Sequence, residues 1–180
     1  SEVTEQLDFR FLNEVWPEFD VTSSDGCLPT TEALVRVIWS RLANQLPLVG
    51  LRLYESSGLW ADYLGQTMDA YLTIRTHFAA AHRLARPELS QEENEAIYGK
   101  CARPHGHGHN YLVDVTVRGE IDPRTGMVCD LSALQRLVDD LVVEPFDHTF
   151  LNKDVPFFEE CVPTAENIAL HITDRLSSPI

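Results

Sequence analysis

Hydrophobic residues recur at helical spacing in three segments of the chain, and they alternate with polar residues in others. The helical segments are 30–42, 130–144 and 164–176. The segments in which hydrophobic and polar residues alternate predict strands over 49–55, 59–64, 70–82 and 109–120. Thr30 and Thr164 are expected to cap the first and third helices, and Pro145 is expected to end the second. The polar stretch 85–100 is predicted to be a loop.

Two parts of the chain are copies of one sequence segment. Asp8–Asn13 and Asp147–Asn152 are identical at four of six positions. Cys27–Thr30 then matches Cys161–Thr164, and a predicted helix follows in both places. Identities that recur in one order indicate a tandem repeat.

The repeat predicts how the chain is organised. We expect residues 1–67 to be the C-terminal part of a first repeat. Residues 68–180 are expected to be most of a second repeat that lacks its last strands. The chain would then start inside one repeat and stop inside the next.

Composition and charge exclude several classes of protein. Apolar residues make up 44% of the chain and charged residues 23%, which excludes collagen-like and disordered proteins. Lys and Arg number 14 against 28 for Asp and Glu, so the net charge is −14. A surface this acidic repels phosphate backbones, so we expect no nucleic-acid partner. Since no apolar run approaches the roughly 18 residues that cross a bilayer, we expect no membrane span.

The cysteines and the N-terminus indicate a cytoplasmic protein. The N-terminal residues have neither the basic nor the apolar region of a signal peptide. The four cysteines form no C-x-x-C pair and are too sparse for a disulfide scaffold. We therefore expect free thiols in a reducing compartment.

The segment H-G-H-G-H is the densest group of candidate metal ligands. Side chains two apart on a strand point the same way, so His107 and His109 can face one ion. Neutral imidazole is a natural zinc ligand, and His82 at the end of the preceding strand is the candidate third ligand. His77 and His105 are rival ligands, and a polar histidine–glycine loop without metal also fits the pattern.

Further residues are candidates for proton transfer and substrate binding. Cys101 lies six residues before His107, and a thiol near a metal or imidazolium can act as a base or nucleophile. A fourth metal ligand or an inert buried thiol are the alternatives. Asp147 can orient His148, although a solvated turn is also compatible, and the first copy has Phe9 at that position.

Glu55 ends a predicted apolar strand. Its carboxylate can accept two hydrogen bonds from a paired N–H edge, such as that of a 2-amino-pyrimidinone. An ordinary exposed residue at a strand end is the alternative.

Several segments together resemble the 6-pyruvoyl-tetrahydropterin synthase family. They are Phe78–Leu84, Tyr98–Cys101, Gly106–Tyr111, Gly119–Met127, Asp147–His148 and Pro163–Asn167. The resemblance covers roughly residues 70–176 in order, and residues 7–64 resemble the back of the same domain. It implies an α+β tunnelling fold, an antiparallel sheet with two helices on one face. The family closes this sheet into a barrel by oligomerisation, so a trimeric or hexameric homo-oligomer is expected.

The resemblance also implies a role for each candidate residue. The Zn²⁺ ligands would be His82, His107 and His109. The catalytic cysteine would be Cys101, with proton-transfer partners that the family takes from a neighbouring subunit, here Asp147 and His148. The pterin would be anchored by Glu55 and contacted by Thr164 and Glu166.

The implied function is that of a carbon–oxygen lyase of tetrahydrobiopterin biosynthesis. It would convert 7,8-dihydroneopterin triphosphate to 6-pyruvoyl-tetrahydropterin with elimination of triphosphate. One alternative is 6-carboxy-tetrahydropterin synthase of queuosine biosynthesis, because His105 gives a C-x3-H spacing from Cys101. Another is a non-catalytic pterin-binding assembly module, because Phe9 replaces histidine in the first copy.

Glu55 precedes the histidines in this chain, so a complete site would combine pieces of two repeats or two subunits.

Overall fold

The computed structural model describes residues 2–177, which form helices and one mainly antiparallel sheet. The strands are β1 (Leu51–Ser56), β2 (Leu59–Tyr63), β3 (Asp69–His82), β4 (His107–Glu120) and β5 (Thr149–Phe150). The helices are α1 (Glu2–Leu7), α2 (Leu12–Val15), α3 (Thr31–Leu42), α4 (Gln91–Tyr98), α5 (Leu131–Val138), α6 (Glu144–Phe146), α7 (Leu151–Asp154), α8 (Phe157–Glu160) and α9 (Ala165–Ser177).

The sheet has the order β1-β2-β3-β4. β1 pairs with β2 and β2 with β3 in antiparallel register, and β5 adds a short parallel pairing to Ala80 and Ala81 of β3. Each of the four predicted strands is confirmed to within two residues at either end. The alternation of apolar and polar side chains is therefore a sufficient signal for this sheet.

The chain divides into two compact units. Unit 1 comprises the residues up to Arg75 together with Asp114–Leu131, and unit 2 comprises Thr76–Val113 together with the residues from Ser132 onward. This division rests on contacts within the folded chain. The division into two sequence repeats, 1–67 and 68–180, is of a different kind and stays a prediction.

Unit 1 is built on α3, as its apolar stripe predicts. The Thr30 hydroxyl caps α3 by accepting the Ala33 N–H at 3.2 Å, and the helix packs on β1 and β2. Its core residues include Trp16, Phe19, Ala33, Val35, Val37, Ile38, Ala61 and Ala70. Gly65 has a φ of +71°, and a Cβ there would lie 2.1 Å from Trp39, so only glycine lets the β2–β3 turn approach α3.

Unit 2 has an aromatic core around the second half of β3. Phe78 and Phe146 are fully buried with ring centroids 5.4 Å apart. Buried aliphatic residues complete this core: Val138, Val142, Leu151, Ile168, Ile172 and Leu176. The helix predicted over 164–176 is confirmed as α9 and contributes the last three of them.

The helix predicted over 130–144 is interrupted, and Pro145 does not end it. α5 leads into a π-helical turn at Asp139–Val143, and α6 continues through Pro145 to Phe146. Proline has no N–H, so the Leu141 carbonyl loses its usual helical partner. Arg175 Nε donates a hydrogen bond to that carbonyl at 2.8 Å instead, which lets the helix accommodate the proline.

The loop predicted over 85–100 is wrong, because this segment contains α4. Ser90 and Glu93 form a capping box at its start, each side chain bonding the backbone N–H of the other. The buried Asn94 side chain bonds the backbone of Arg86. The S-x-x-E spacing was the signal for this helix, and the polar composition of the segment concealed it.

The two sequence copies share local backbone features. Phe9 and His148 correspond in the repeat, and they are the two non-glycine residues with positive φ in the described part of the chain, at 53° and 58°. Each copy also has a tight turn around a proline before its helix, closed by the N–H of Thr30 or of Thr164. The two copies therefore agree in backbone conformation at these two places.

Two further findings concern the chain within residues 2–177. None of the helices described there is long and apolar enough to cross a membrane. All four cysteines are free.

Candidate metal and proton-transfer site

Three histidines meet where β3 ends and β4 begins, both in unit 2. Alternation along β4 turns His107 and His109 to one side, and His82 is the last residue of β3. Their ligand nitrogens lie within 4.8 Å of one another, and Nε2 of His82 is 3.2 Å from Nε2 of His107. The rivals His77 and His105 are not part of this cluster.

The cluster fits a zinc ion. Two nitrogens that bind one tetrahedral zinc at about 2.0–2.1 Å lie about 3.3 Å apart, close to the separation of the His82 and His107 nitrogens. Three imidazoles are a common ligand set for zinc. His82 is only 6% exposed, and this burial lowers its pKa, which favours the neutral, metal-binding ring. The chain therefore contains a triad of histidines that could hold a metal ion.

The carbonyl of Pro163 orients His82. His82 Nδ1 lies 2.7 Å from the Pro163 oxygen, and this pairing requires a proton on Nδ1. The lone pair of Nε2 then points toward His107. An outer contact of this kind fixes both the tautomer and the direction of a ligand ring.

Gly106 allows the start of β4 to approach the end of β3. Its φ is +64°, and a Cβ at this position would lie 2.6 Å from the His82 carbonyl oxygen. A side chain here would push His107 away from His82. Gly106 is thus required for the histidine cluster to form and does not simply mark a flexible loop.

Cys101 is hydrogen-bonded to the chain just beyond His82. It sits in a 3₁₀ turn at Gly99–Ala102, and its carbonyl accepts the N–H of Leu84 at 2.9 Å. Burial raises the pKa of Tyr111 to about 12, and an electrostatic interaction with Cys101 contributes to this rise. The Tyr111 ring lies 5.6 Å from that of His109. The bond to Leu84 and the interaction with Tyr111 therefore connect Cys101 to the region of the histidine cluster.

Asp147 and His148 form an oriented pair after α6. Asp147 accepts the Ala79 N–H at 2.8 Å, and its other oxygen lies 2.7 Å from His148 Nδ1. The bond from Ala79 and the bond to His148 lower the pKa of the Asp147 carboxyl. The His148 side chain is 83% exposed, so its imidazole stands at the surface of unit 2.

Glu55 borders a separate cavity in unit 1. It lies in β1 where the pairing register shifts between Tyr54 and Ser56, and its carboxylate accepts a hydrogen bond from the Thr31 hydroxyl. The cavity measures 290 Å³. Its polar lining consists of Thr30, Thr31, Glu32 and Glu55, and its other walls are mainly apolar. This combination can hold a flat heterocycle that carries N–H donors.

A sequence model of the 6-pyruvoyl tetrahydropterin synthase family matches residues 1–66 and 71–180. The chain belongs to this family. The predicted assignment to an enzyme family, the carbon–oxygen lyases of the 6-pyruvoyl-tetrahydropterin synthase type, is confirmed.

Individual relatives of the family are similar over about three fifths of the chain. The human 6-pyruvoyl tetrahydrobiopterin synthase is 48% identical over 112 residues, which is 62% of this chain and 77% of the human protein. The Poecilia reticulata protein of the same name is 49% identical over 110 residues, 61% of this chain and 75% of its own. An Archaeoglobus fulgidus protein with the name putative 6-carboxy-5,6,7,8-tetrahydropterin synthase is 36% identical over 109 residues. This match covers 61% of this chain and 77% of that protein.

A solved structure of the family has the same fold. The Caenorhabditis elegans 6-pyruvoyl tetrahydropterin synthase matches with a TM-score of 0.59 and 44% identity, over 61% of this chain and 78% of that chain. The predicted α+β class, an antiparallel sheet with helices, is confirmed. Closure of the sheet into an oligomeric barrel stays a prediction.

Thr164 and Glu166, the residues that the family resemblance assigns to pterin contact, lie at the start of α9 in unit 2. The Thr164 hydroxyl accepts the Asn167 N–H at 3.3 Å, and Glu166 is exposed. Their counterparts in the first copy, Thr30 and Glu32, are the residues that line the cavity with Glu55. Thr31 and Glu32 were not among the predicted site residues, although the alignment of the two copies was a signal for them.

Proposed function

We propose that this chain is a zinc-dependent pterin synthase that converts 7,8-dihydroneopterin triphosphate to 6-pyruvoyl-tetrahydropterin and releases triphosphate. The observation that carries the proposal is the convergence of three histidine nitrogens within 4.8 Å, in the unit that also holds the free Cys101. The relatives named 6-pyruvoyl tetrahydrobiopterin synthase support the choice of reaction.

His82, His107 and His109 would hold the ion. A zinc ion bound there would act as a Lewis acid toward the side-chain oxygens of the substrate, which acidifies the neighbouring protons. The burial of His82 and its bond to Pro163 keep one ligand ring neutral and aimed before any metal arrives. The protein thus offers a preorganised site at little cost in reorganisation.

Cys101, Asp147 and His148 would move the protons. Cys101 would take up the proton from the acidified C–H group of the side chain. His148, oriented by Asp147 through the 2.7 Å contact at Nδ1, would exchange a second proton through its other ring nitrogen. The 83% exposure of His148 supports its use by a neighbouring subunit, as the family resemblance implies.

The cavity at Glu55 would bind the pterin ring. A pterin presents an amino group and a ring N–H side by side, and one carboxylate can accept both. Thr31 already bonds Glu55, and the buried Glu32 accepts the Val128 N–H at 3.2 Å, so both acidic groups are held in place. The proposed roles of Thr164 and Glu166 in pterin contact stay predictions.

We also propose that the chain is a tandem protein which assembles into a homo-oligomer. The two ranges matched by the family, 1–66 and 71–180, support the division into two repeats. β1 and β4 end the sheet, and open strand edges are the surfaces through which sheets extend into barrels. A complete site would then combine Glu55 with histidines of another chain. The four free cysteines support a location in the cytoplasm.

6-Carboxy-tetrahydropterin synthase is the second candidate function. The Archaeoglobus fulgidus relative carries that name, and His105 stands at C-x3-H from Cys101. Both reactions would use the same metal site and the same pterin cavity. The identity of the pterin product separates them.

The test is to incubate zinc-loaded protein with 7,8-dihydroneopterin triphosphate and to identify the pterin product and the released triphosphate by mass spectrometry. We expect 6-pyruvoyl-tetrahydropterin with one triphosphate per product. Cys101→Ala should keep zinc and lower turnover by about 10²–10⁴-fold, whereas His107→Ala should lose both. A 6-carboxy product would favour the second function. Pterin binding without any turnover would indicate a non-catalytic assembly module, and zinc loss in Cys101→Ala would make Cys101 a ligand.

A further inference from the structure

The contact that orients His82 comes from a turn far away in the sequence. Pro163 is buried, and its carbonyl oxygen lies 2.7 Å from His82 Nδ1 inside unit 2. The direction of this carbonyl decides which ring nitrogen carries the proton. Whatever holds the turn therefore also determines how His82 presents Nε2 to a metal.

The side chain of Asn167 holds this turn. The Thr164 N–H donates to the Val162 carbonyl at 2.8 Å, which closes a tight turn around Pro163. Asn167 Nδ2 donates to the same Val162 oxygen at 2.8 Å, and the Asn167 N–H donates to the Thr164 hydroxyl at 3.3 Å. Asn167 thus ties the first turn of α9 back to the peptide unit before Pro163 and to the side chain of Thr164 after it.

The first copy of the repeat shows that the turn forms without this amide. The Thr30 N–H donates to the Leu28 carbonyl at 2.9 Å around Pro29, and the Thr30 hydroxyl accepts the N–H of residue 33 at 3.2 Å. Residue 33 is alanine where the second copy has Asn167. Helix capping therefore does not require the asparagine, which is present in the copy whose proline carbonyl faces His82.

We propose that Asn167 is a positioning residue of the metal site, which acts by fixing the Pro163 carbonyl that orients His82. The inference rests on the zinc site of the proposed function. Within residues 2–177, the hydrogen bonds that Asn167 donates go to Val162 and Thr164, and not to a metal ligand. Its effect passes through one turn of backbone, from the Val162 carbonyl to the Pro163 carbonyl and on to the imidazole.

Two variants test the role of the amide. Asn167→Asp keeps the size of the side chain but removes the donor and turns a carboxylate toward the Val162 carbonyl. Asn167→Ala introduces the residue that the first copy has at this position, Ala33. We expect both to bind zinc about tenfold more weakly in chelator competition, the low end of the range for residues that support metal ligands. In zinc-free protein, ¹⁵N NMR should show His82 protonated at Nδ1 in the wild type and a mixture of tautomers in both variants.

A matched control separates positioning from general stability. Asn13 makes the same kind of bond, from Nδ2 to the Phe19 carbonyl at 3.1 Å, in unit 1. Asn13→Ala should keep the zinc affinity and the His82 tautomer of the wild type, even if its thermal unfolding temperature falls. Wild-type zinc affinity and an unchanged tautomer in Asn167→Asp and Asn167→Ala would overturn the inference. A wild-type protein that binds no zinc would instead overturn the proposed function, and the tautomer measurement would still decide the role of Asn167.

Discussion

Two glycines separate the histidines of the H-G-H-G-H segment, and their surroundings differ. Gly106 has positive φ, and a Cβ there would lie 2.6 Å from the His82 carbonyl oxygen and 2.9 Å from the Phe150 ring. Gly108 has ordinary strand φ, and its nearest neighbour would be 3.7 Å away. Gly106 is thus needed for the histidine cluster to form, whereas Gly108 is not.

This difference predicts unequal effects of alanine. Gly106→Ala should lower the free energy of unfolding in urea by at least about 1–2 kcal/mol, the cost of positive φ for an L-residue, and should weaken zinc binding because it separates β3 from β4. Gly108→Ala should be neutral or stabilising by up to about 1 kcal/mol, because alanine suits a strand better than glycine. Equal effects of the two changes would contradict this account.

At the scale of single residues, the sequence predicts what depends on local geometry. Strand alternation placed His107 and His109 on one face and made His82 the candidate third ligand, but it left His77 and His105 open as rivals. Only the folded chain brings His82, His107 and His109 together without them. The partner of His82 could not be found this way. Pro163 is separated from His82 by 81 positions, and only the folded chain brings the two together.

At the scale of elements, α8 and α9 enclose a histidine among aromatic rings. The His171 ring is stacked on Phe157 with centroids 4.2 Å apart, and it also meets the rings of Phe146 and Phe158. Burial lowers the pKa of His171, and the nearby Arg175 lowers it further, whereas Asp174 acts in the opposite direction. The neutral ring is therefore the form that the folded protein prefers.

The lowered pKa predicts the direction of a pH effect on stability. The unfolded chain takes up the His171 proton as the pH falls through about 6.5, before the folded chain does, so stability is lost as the pH falls below that value. His171→Phe keeps a stacked ring but cannot titrate. Its free energy of unfolding should therefore fall less between pH 7 and pH 5 than that of the wild type. Parallel pH profiles in urea unfolding would show that His171 is not responsible.

Elements with a clear periodicity were predictable, and those that depend on irregular backbone were not. α3, α9 and the four long strands follow from apolar spacing. The break after α5 does not, because it depends on Arg175 replacing the hydrogen bond that Pro145 removes. α4 was missed because capping by Ser90 and Glu93 stabilises a helix with little apolar surface.

At the scale of the whole molecule, the candidate site residues belong to different units. The histidine cluster, Cys101 and the Asp147–His148 pair lie in unit 2, whereas Glu55 and its cavity lie in unit 1. The repeat was visible in the sequence because it rests on residue identities. How copies of the chain associate depends on surfaces and not on periodicity, so the expectation of a trimer or hexamer rests on the family resemblance alone.

A mixing experiment tests whether complete sites combine two chains. Glu55→Ala and His107→Ala should each be inactive alone, because each lacks one half of the site. Co-assembled in equal amounts, they should recover roughly one quarter of wild-type activity, since random pairing joins the two intact halves in one site of four. The control is to mix the proteins after separate folding without exchange of subunits. Absence of any recovery in the co-assembled sample would contradict a site shared between chains.

Diffraction recorded on either side of the zinc absorption edge tests most directly whether His82, His107 and His109 hold one zinc ion. Crystals of the zinc-loaded protein should show a single strong anomalous peak per chain, within coordination distance of all three imidazoles and bound to Nε2 of His82. A peak on other residues, such as His77 or His105, or no peak at the cluster would contradict the account of this protein as a zinc-dependent pterin synthase.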